Sequence, residues 1–257
     1  MSESDLVVRL RAAGSVFAEE EAAVLISSAV SADHLEAMTV RRVAGEPLEV
    51  ILGWAEFCGE RISLVAGVFV PRARTAVLVD EGARLIGPGA VVVDLCCGSG
   101  AVAVALHARV PGILLLAADI DPVAVDCARR NLDPVGGQVF EGDLFSALPD
   151  DVRGRIDLLV VNAPYVPTEA IATMPPEARD HEPRIALDGG ADGVDVHRRV
   201  AGAAGQWLAP GGHVVIETSR RQASATARAF SDHGLDPRIV SSQDVDGTAV
   251  VGVVHRA

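Results

Sequence analysis

Three acidic residues, Asp94, Asp119 and Asp143, come at the ends of three successive apolar runs of this chain. The turn after the first run consists of Cys96, Cys97, Gly98, Ser99 and Gly100. Its glycines let a ligand approach the backbone closely, and the predicted helix that follows offers its N-terminal N–H groups. A single acid in such a place can be a helix N-cap. Three acids in register indicate a ligand site beyond the carboxyl ends of parallel strands.

The glycine turn alone does not identify the ligand, because nicotinamide, flavin and S-adenosylmethionine sites all use one. Asp119 lies 21 residues beyond Gly98. This is the spacing of an acid that binds ribose hydroxyls, and it fits both a dinucleotide cofactor and S-adenosylmethionine. A carboxylate at Asp94 disfavours a pyrophosphate and suits a cationic ligand that bears an ammonium group and a sulfonium. Asp143, with Leu144 as an apolar neighbour, is placed to meet an adenine amino group. Asp94 favours S-adenosylmethionine as cofactor, with S-adenosylhomocysteine as its product, and the choice rests on Asp94 together with the end of the fourth strand.

The elements that position these residues alternate between apolar strands and amphipathic helices. The predicted strands are 90–93, 113–118, 138–141, 156–161, 213–217, 238–241 and 248–254. The predicted helices between them are 101–109, 122–131, 194–208 and 220–233. This alternation is typical of a parallel sheet covered on both faces. The predicted fold class is α/β, with a doubly wound, mostly parallel sheet of seven strands.

The chain before this sheet is predicted to differ in structure. Residues 1–50 are predicted to form a small helical domain and residues 51–71 a hairpin linker about Gly59-Glu60, so that the sheet domain spans 72–257. One helical stripe is predicted to carry Ala22, Leu25, Ile26, Ala29 and Val30. This region is rich in acids, which predicts either a solvated helical cap or an acidic docking face for a basic partner.

Composition excludes several classes of function for the 257 residues. The net charge of −13 argues against an extended nucleic-acid surface, and the absence of lysine excludes Schiff-base and Walker-type chemistry. The four cysteines form no CxxC pair, so neither a metal site nor a disulfide framework is predicted. The acidic start Met1–Asp5 is unlike a signal peptide, and no apolar run approaches the ~20 residues of a membrane span. We expect a soluble cytoplasmic protein without a membrane partner.

The fourth strand ends in Asn162-Ala163-Pro164-Tyr165. This turn resembles the Asn-Pro-Pro-Tyr signature of S-adenosylmethionine-dependent methyltransferases that act on planar nitrogens, either base amines or the glutamine amide. The side-chain oxygen of Asn162 and the carbonyl of Ala163 can accept both hydrogens of such a nitrogen and orient its lone pair. Pro164 stiffens the turn, and Tyr165 offers a flat face. Catalysis would then be mostly alignment, since the nitrogen becomes acidic only as the N–C bond forms.

Further motifs resemble those of the protein-(glutamine-N5) methyltransferases, the HemK/PrmC family. They are Gly45-Glu46-Pro47, Val70-Pro71-Arg72 with Thr75, Asn131, Glu182-Pro183 and Asp192-Gly193. The resemblance implies a class I methyltransferase fold and a helical N-terminal domain that recognises peptide-chain release factors. It also implies methylation of the glutamine in their Gly-Gly-Gln loop. Cofactor contacts are implied at Cys96–Gly100, Asp119, Leu144 and Asn162, and substrate contacts at Asn162–Tyr165. A monomer is expected.

The chain departs from the family pattern at three points. Ala163 replaces the first proline of the signature, which leaves the backbone carbonyl available. Arg74 stands where the family usually carries an acid, and the N-terminal part is short for the family. A long irregular insertion, residues 163–193, is expected to form a wall of the glutamine pocket.

Three alternatives remain beside this hypothesis. A nucleic-acid adenine-amino methyltransferase would use the same signature, but the acidic charge and the 4% aromatic content disfavour it. A methyltransferase of another peptide or small-molecule amide fits the short N-terminal part. A scaffold that binds the cofactor without catalysis is disfavoured because Asn162, Pro164 and Tyr165 are present.

Overall fold

The computed structural model describes residues 2–254. In that range the strands are β1 Trp54–Phe57, β2 Glu60–Ser63, β3 Val91–Leu95, β4 Leu114–Asp119, β5 Gln138–Glu141, β6 Ile156–Val161, β7 Leu208–Glu217, β8 Leu235–Ser242 and β9 Gly247–Val254. The α-helices are α1 Glu3–Ala12, α2 Ala18–Ser28, α3 Ala32–Val43, α4 Leu48–Leu52, α5 Ala76–Leu85, α6 Ala101–Arg109, α7 Pro122–Leu132, α8 Pro176–His181, α9 Asp195–Trp207 and α10 Ala223–Asp232. None of the helices in this range has the length and apolar character to cross a membrane.

Seven strands form one sheet in the order β5-β4-β3-β6-β7-β9-β8. Strands β3 to β7 are parallel to one another, and β9 is antiparallel to both β7 and β8. The chain runs from β3 outward to β5 and then returns to β6, on the other side of β3. The order therefore reverses between β3 and β6, which is where such sheets bind ligands. The predicted doubly wound, mostly parallel seven-stranded fold is confirmed, although β7 begins five residues before its expected start at 213.

The two central strands are buried because both faces of the sheet are covered. Every residue of β3 is buried, and alternate side chains enter opposite cores. On one face Val93 and Leu159 pack in a cluster with Trp207 and Phe230. On the other face lie Val92, Leu158, Leu78 and Leu106. This packing fixes where the carboxyl ends of the strands stand relative to one another.

Helices α1 to α4 enclose a small core of their own. Its buried residues are Leu6, Leu10, Ala18, Ala22, Leu25, Met38 and Ile51. The predicted stripe on α2 is correct for Ala22 and Leu25 but wrong for Ile26 and Val30, which are 39% and 88% exposed. The helix ends at Ser28, and Ser31 then caps α3 by accepting a hydrogen bond from the His34 N–H. Val30 lies beyond the end of α2, so the helical periodicity on which the stripe depended does not reach it, whereas Ile26 lies within α2 on its exposed side.

Strands β1 and β2 form an antiparallel hairpin that is fastened to the sheet domain. Its turn is Cys58-Gly59, one residue earlier than expected. Asn131 on α7 holds the hairpin: Oδ1 accepts from the Ser63 N–H at 2.8 Å, and Nδ2 donates to the Ser63 carbonyl at 2.9 Å. The same Nδ2 donates to the carbonyl of Ser99 at 2.8 Å. One amide therefore links the hairpin to the glycine turn after β3.

Candidate active site

The carboxyl ends of β3, β4 and β6 open into a cavity of about 1170 Å³. Its lining includes the sequence-predicted residues Asp94, Cys96, Cys97, Gly98, Ser99, Asp119, Asp143, Leu144, Asn162, Ala163, Pro164 and Tyr165. Gly100 is not among the lining residues. It is the N-cap residue of α6, and a Cβ atom there would lie 3.1 Å from the Leu132 side chain, so it serves close packing of α6 against α7.

The turn after β3 exposes its backbone to this cavity. Gly98 has φ +55°, and a Cβ atom at this position would meet nothing within 4 Å, so the space beside the backbone stays open. Cys96 adopts a left-handed conformation with φ 57°, which is uncommon for a residue with a side chain. Burial raises the pKa of both Cys96 and Cys97 above the usual thiol range. The two thiols are therefore neutral and unsuited to act as nucleophiles.

Asp119, the last residue of β4, fixes the glycine turn through its carboxylate. Oδ2 accepts from the Gly98 N–H at 2.8 Å, and Oδ1 accepts from the Asp121 N–H at 3.0 Å. Burial raises the pKa of this carboxyl. Each carboxylate oxygen has a further lone pair, so Asp119 can also accept from hydroxyl groups in the cavity.

Asp94 is only 1% exposed and lies near the end of β3. Its Oδ2 accepts from the Ala103 N–H at 3.2 Å, so it caps the first turn of α6 as well as lining the cavity. Burial raises its pKa to about 8, and the neighbouring charge of Asp119 adds to this. A cationic group in the cavity would favour the ionised form. This buried acid, together with the open backbone at Gly98 and the acceptors of Asp119, fits a ligand with an ammonium group and ribose hydroxyls.

Asp143 lies two residues beyond β5 and has a partner that the sequence did not indicate. Its Oδ2 accepts from Nη2 of Arg199 on α9 at 2.6 Å. Leu144 follows in a left-handed conformation with φ 50° and lines the cavity. Asp143 thus retains one oxygen for the adenine contact expected from its position.

Asn162 directly follows β6 and begins the predicted signature turn. Its Nδ2 lies 3.5 Å from Oγ1 of Thr75, to which it donates. Among residues 2–254, no hydrogen-bond donor of the protein engages Oδ1 of Asn162 or the carbonyl of Ala163. Two acceptors on adjacent residues of the cavity wall are therefore available to a ligand.

The turn is supported from behind by the end of the 163–193 insertion. Gln222 donates from Nε2 to the carbonyl of Tyr165 at 2.7 Å and to that of Asp192 at 3.0 Å. Gly193, with φ +76°, passes so close that a Cβ atom would lie 2.3 Å from the Tyr165 carbonyl oxygen. The hydrogen bond from Gln222 and the close approach of Gly193 together restrict the backbone of the turn at Tyr165.

Tyr165 is held by a residue that the sequence reasoning did not select. Its hydroxyl donates to Oε1 of Glu217 at 3.1 Å. Glu217 is the last residue of β7 and is 2% exposed. Burial raises the pKa of both groups above their usual ranges. The sequence did indicate Glu217, because this acid ends an apolar strand at the same edge of the sheet as Asp119.

The insertion forms one wall of the cavity through α8 and the segment that follows it. Glu182, buried at 2% side-chain exposure, pairs with Arg72 of the linker. Glu177 on α8 lies 3.6 Å from Arg42 at the end of α3, so the N-terminal helices contact this wall. Two motifs far apart in the sequence, Val70-Pro71-Arg72 and Glu182-Pro183, therefore meet at the cavity.

Comparisons with known proteins find methyltransferases among those similar to this chain. The family model described as "Methyltransferase small domain" matches residues 73–175. A Geobacter sulfurreducens protein named release factor glutamine methyltransferase is 41% identical over 200 residues, which cover 77% of this chain and 69% of that protein. A Streptomyces pristinaespiralis protein named 4-amino-L-phenylalanine/4-methylamino-L-phenylalanine methyltransferase is 36% identical over 201 residues, covering 76% and 68%. A methyltransferase structure from Pyrococcus furiosus has a TM-score of 0.58 at 13% identity, covers 86% of this chain and 98% of its own, and is similar in fold alone.

Proposed function

The chain belongs to the release factor glutamine methyltransferase family, and from this premise we propose that it methylates the glutamine amide in the Gly-Gly-Gln loop of a peptide-chain release factor. The observation that carries the proposal is the signature turn itself. Oδ1 of Asn162 and the carbonyl of Ala163 are available on the cavity wall, beside the open backbone of Gly98. Two neighbouring acceptors match the two hydrogens of a primary amide.

The physical problem is that an amide nitrogen is a poor nucleophile, because its lone pair is delocalised into the carbonyl. When both N–H groups are held by Asn162 and Ala163, the nitrogen is fixed with its lone pair facing the interior of the cavity. Orientation of this kind can contribute roughly 7–11 kcal/mol. The flat ring of Tyr165 lines the same cavity and gives the planar amide a surface to stack on. No residue has to act as a strong base, because the nitrogen loses its proton only as the new bond forms.

We propose S-adenosylmethionine as the methyl donor, held by Asp94, Asp119, Leu144, Asn162 and the residues Cys96–Ser99 of the turn. When bound, it supplies an activated methyl group on a cationic sulfur and leaves as S-adenosylhomocysteine. The buried carboxyl of Asp94 supports this choice, because burial and the neighbouring Asp119 raise its pKa to about 8, and a cationic ligand beside it would offset both effects. Asp119 has lone pairs left for hydroxyls, and Gly98 leaves the backbone accessible.

The substitution of alanine for the first proline of the signature does not oppose the proposal. The role of Ala163 is carried by its backbone carbonyl, which no donor of residues 2–254 engages. Ala163 is 2% exposed and lies between β6 and Pro164, so its position is set by packing. We expect the turn to function with alanine at this point.

The release factor is the proposed substrate rather than a small aromatic amine. The S. pristinaespiralis relative indicates by its name that related proteins methylate the amine of a free amino acid. Here the wall of the cavity contacts the N-terminal helices through Arg42 and Glu177, which favours a macromolecule that reaches both regions. We propose residues 1–50 as the recognition domain, 51–71 as its linker and 72–257 as the methyltransferase domain, in a monomer that acts in the cytoplasm.

Radiolabelled S-adenosylmethionine offered with four acceptors tests the proposal. These are a purified release factor, the same factor with its loop glutamine replaced by alanine, 4-amino-L-phenylalanine and bulk RNA. We expect label in the unmodified release factor alone. Label in RNA or in the free amino acid, with none in the release factor, would overturn the proposed substrate.

A further inference from the structure

We propose that Val245, at the tip of the hairpin formed by β8 and β9, is a specificity-determining residue that contacts the protein substrate beside its loop glutamine. The tip is the four-residue turn 243–246, which joins Ser242 to Gly247. Val245 and Asp246 line the cavity of the candidate active site. The inference rests on the proposed function and deepens it, because it names a surface that would meet the chain on one side of the glutamine.

The order of the strands places this tip on the substrate side of the cavity. Strands β5, β4 and β3, which precede the proposed cofactor residues, form one half of the sheet, and β6, β7, β9 and β8 form the other. Asn162 directly follows β6, so the signature turn belongs to the second half. In the antiparallel pair of β7 and β9, Ala249 stands opposite Glu217, the last residue of β7. Gly247 and the tip therefore extend past the carboxyl edge of the sheet on the side of the signature turn.

The tip is fixed to the backbone beside the signature turn. Gly247 passes so close to the carbonyl oxygen of Arg74 that a Cβ atom on the glycine would overlap that oxygen. Arg74 is followed by Thr75, whose Oγ1 accepts from Nδ2 of Asn162 at 3.5 Å. A short series of contacts thus links the tip to the asparagine that is proposed to hold the substrate amide.

A backbone hydrogen bond and an ion pair also connect the hairpin to the segment after β7. The Thr218 N–H donates to the carbonyl of Thr248 at 2.9 Å. Nη2 of Arg220 lies 2.7 Å from Oδ1 of Asp246, but both side chains are exposed, so this pair contributes little. The backbone contacts therefore hold the tip, and its side chains are available for other contacts.

Val245 differs from its neighbours in the turn in how far it is buried. Gln243, Asp244 and Asp246 are exposed, whereas Val245 is half-buried. Within the described turn, Val245 and Asp246 line the cavity, and Gln243 and Asp244 do not. The apolar side chain of Val245 therefore faces the cavity, while Asp244 on the same turn faces away from it.

An apolar residue at this place suits a peptide chain that enters beside the bound amide. In a Gly-Gly-Gln loop the residues next to the glutamine have no side chains, so their backbone can approach a wall closely. The methyl groups of Val245 can then pack on the glycine α-carbons and remove apolar surface from water. This contact is the same before and during methyl transfer, so it should lower KM without changing kcat.

The kinetic test compares Val245→Ala with Asp244→Ala, a matched control on the same turn. We expect Val245→Ala to raise KM for the release factor at least about fivefold. Its kcat and the Kd for S-adenosylhomocysteine should stay within about twofold of the wild type, because the tip lies away from the cofactor half of the sheet. Asp244→Ala should keep all three values. Equal changes of KM in both variants, or a loss of kcat without a change of KM, would overturn the inference.

Photo-cross-linking shows the contact directly and does not depend on turnover. The photoreactive residue p-benzoyl-L-phenylalanine is introduced at position 245 or, as the control, at position 244 of the full protein, which is then mixed with S-adenosylhomocysteine and a release factor. We expect position 245 to cross-link to the peptide that contains the Gly-Gly-Gln loop, as mass spectrometry would show, and position 244 to give no such product. Cross-links to that peptide from both positions or from neither, with a factor that the wild type methylates, would overturn the inference.

A failure of the proposed function gives a different pattern. If the wild type methylates no release factor but labels another acceptor, the proposed function is contradicted, and the kinetic test is repeated with that acceptor. A raised KM in Val245→Ala but not in Asp244→Ala would still support Val245 as a substrate contact. An unchanged KM in Val245→Ala would overturn this inference as well.

Discussion

The carbonyl oxygen of Tyr165 and the α-carbon of Gly193 are in such close contact that a Cβ atom on Gly193 would lie 2.3 Å from that oxygen. We expect Gly193→Ala to displace the signature turn, because both the contact and the φ of +76° oppose a side chain. The expected effects are a loss of about 1–3 kcal/mol in unfolding free energy and a fall in kcat of at least tenfold. A shift of about 1 Å in a catalytic group can cost about a hundredfold. Steady-state kinetics and chemical denaturation measure both.

The matched control is Gly205→Ala, in the last turn of α9, where an added Cβ atom would meet nothing within 4 Å. It should stabilise the protein by about 0.5–1 kcal/mol because alanine favours the helix. Its kcat should equal that of the wild type. Normal activity in Gly193→Ala would show that the turn does not depend on this close approach.

Asp94 should make stability without cofactor fall as pH rises. Its folded pKa of about 8 lies above the unfolded value of 3.8, so the folded state binds more protons between these limits. Its stabilising contribution is complete below pH 3.8 and is lost as pH rises through about 8. Asp94→Asn cannot titrate, so it should lose less unfolding free energy than the wild type between about pH 5 and 8. Urea denaturation at the two pH values measures the difference.

The same substitution should weaken cofactor binding, because it removes the negative charge offered to the ammonium group. We expect the Kd for S-adenosylhomocysteine at pH 8 to rise at least about tenfold, equivalent to about 1.4 kcal/mol. Isothermal titration gives the value directly. If Asp94→Asn stabilised the protein but left the Kd for S-adenosylhomocysteine unchanged, Asp94 would have no role in cofactor binding. Its role would then be limited to capping α6.

The ion pair between Arg72 and Glu182 should stabilise the cavity wall mainly because the arginine neutralises a buried carboxylate. Removing only the arginine, as Arg72→Met, leaves the Glu182 carboxylate buried at 2% exposure without its cation. We expect a loss of about 1–3 kcal/mol at pH 8, below the full value for a buried pair because the Arg72 side chain is 32% exposed. The loss should shrink toward pH 5, since burial already raises the pKa of Glu182 and protonation removes the unmatched charge.

The double variant Arg72→Met/Glu182→Gln serves as the control for this prediction. It lacks both charges, so it should recover part of the loss seen in the single variant. Denaturation curves for the wild type, Arg72→Met, Glu182→Gln and the double variant complete the cycle. Additive losses in the double variant would show that the two side chains act independently.

His197 on α9 should make stability fall on acidification. It is fully buried, with Nδ1 2.8 Å from Oγ1 of Thr226, and burial lowers its pKa from 6.5 to about 4. Below pH 6.5 the His197 imidazole binds a proton in the unfolded chain, whereas in the folded protein it does so only below about pH 4. The free energy of unfolding therefore falls as pH is lowered through this window. His197→Gln should show a flatter profile of unfolding free energy between these limits. Equal slopes for His197→Gln and the wild type would contradict the account.

Much of the fold and several cavity residues were predictable because local patterns determine them. Strands β4 and β6 are mostly apolar, and the rule that ligands bind at carboxyl ends led directly to Asp119 at the end of β4 and to Asn162 after β6. The same rule applied to β7 would have found Glu217, which ends an equally apolar run. It was missed because no recognised turn or signature follows that strand.

Other features depend on contacts that no local pattern contains. Arg72 and Glu182 are 110 residues apart in the chain, and neither carries a local sign of the other. The Arg199 partner of Asp143 comes from a helix beyond the insertion. Exposure of Val30 followed from the end of α2 at Ser28, a boundary that periodicity alone does not locate.

The account depends most on the claim that Asn162 and Ala163 hold a substrate amide by both its hydrogens. Tandem mass spectrometry of a release factor treated with S-adenosylmethionine and either wild-type protein or Asn162→Ala tests it most directly. We expect the wild type to place one methyl group on the side-chain nitrogen of the loop glutamine. Asn162→Ala should do so at least about a hundredfold more slowly at saturating S-adenosylmethionine, equivalent to about 2.7 kcal/mol. Methylation at another residue, or an undiminished rate in Asn162→Ala, would contradict the claim.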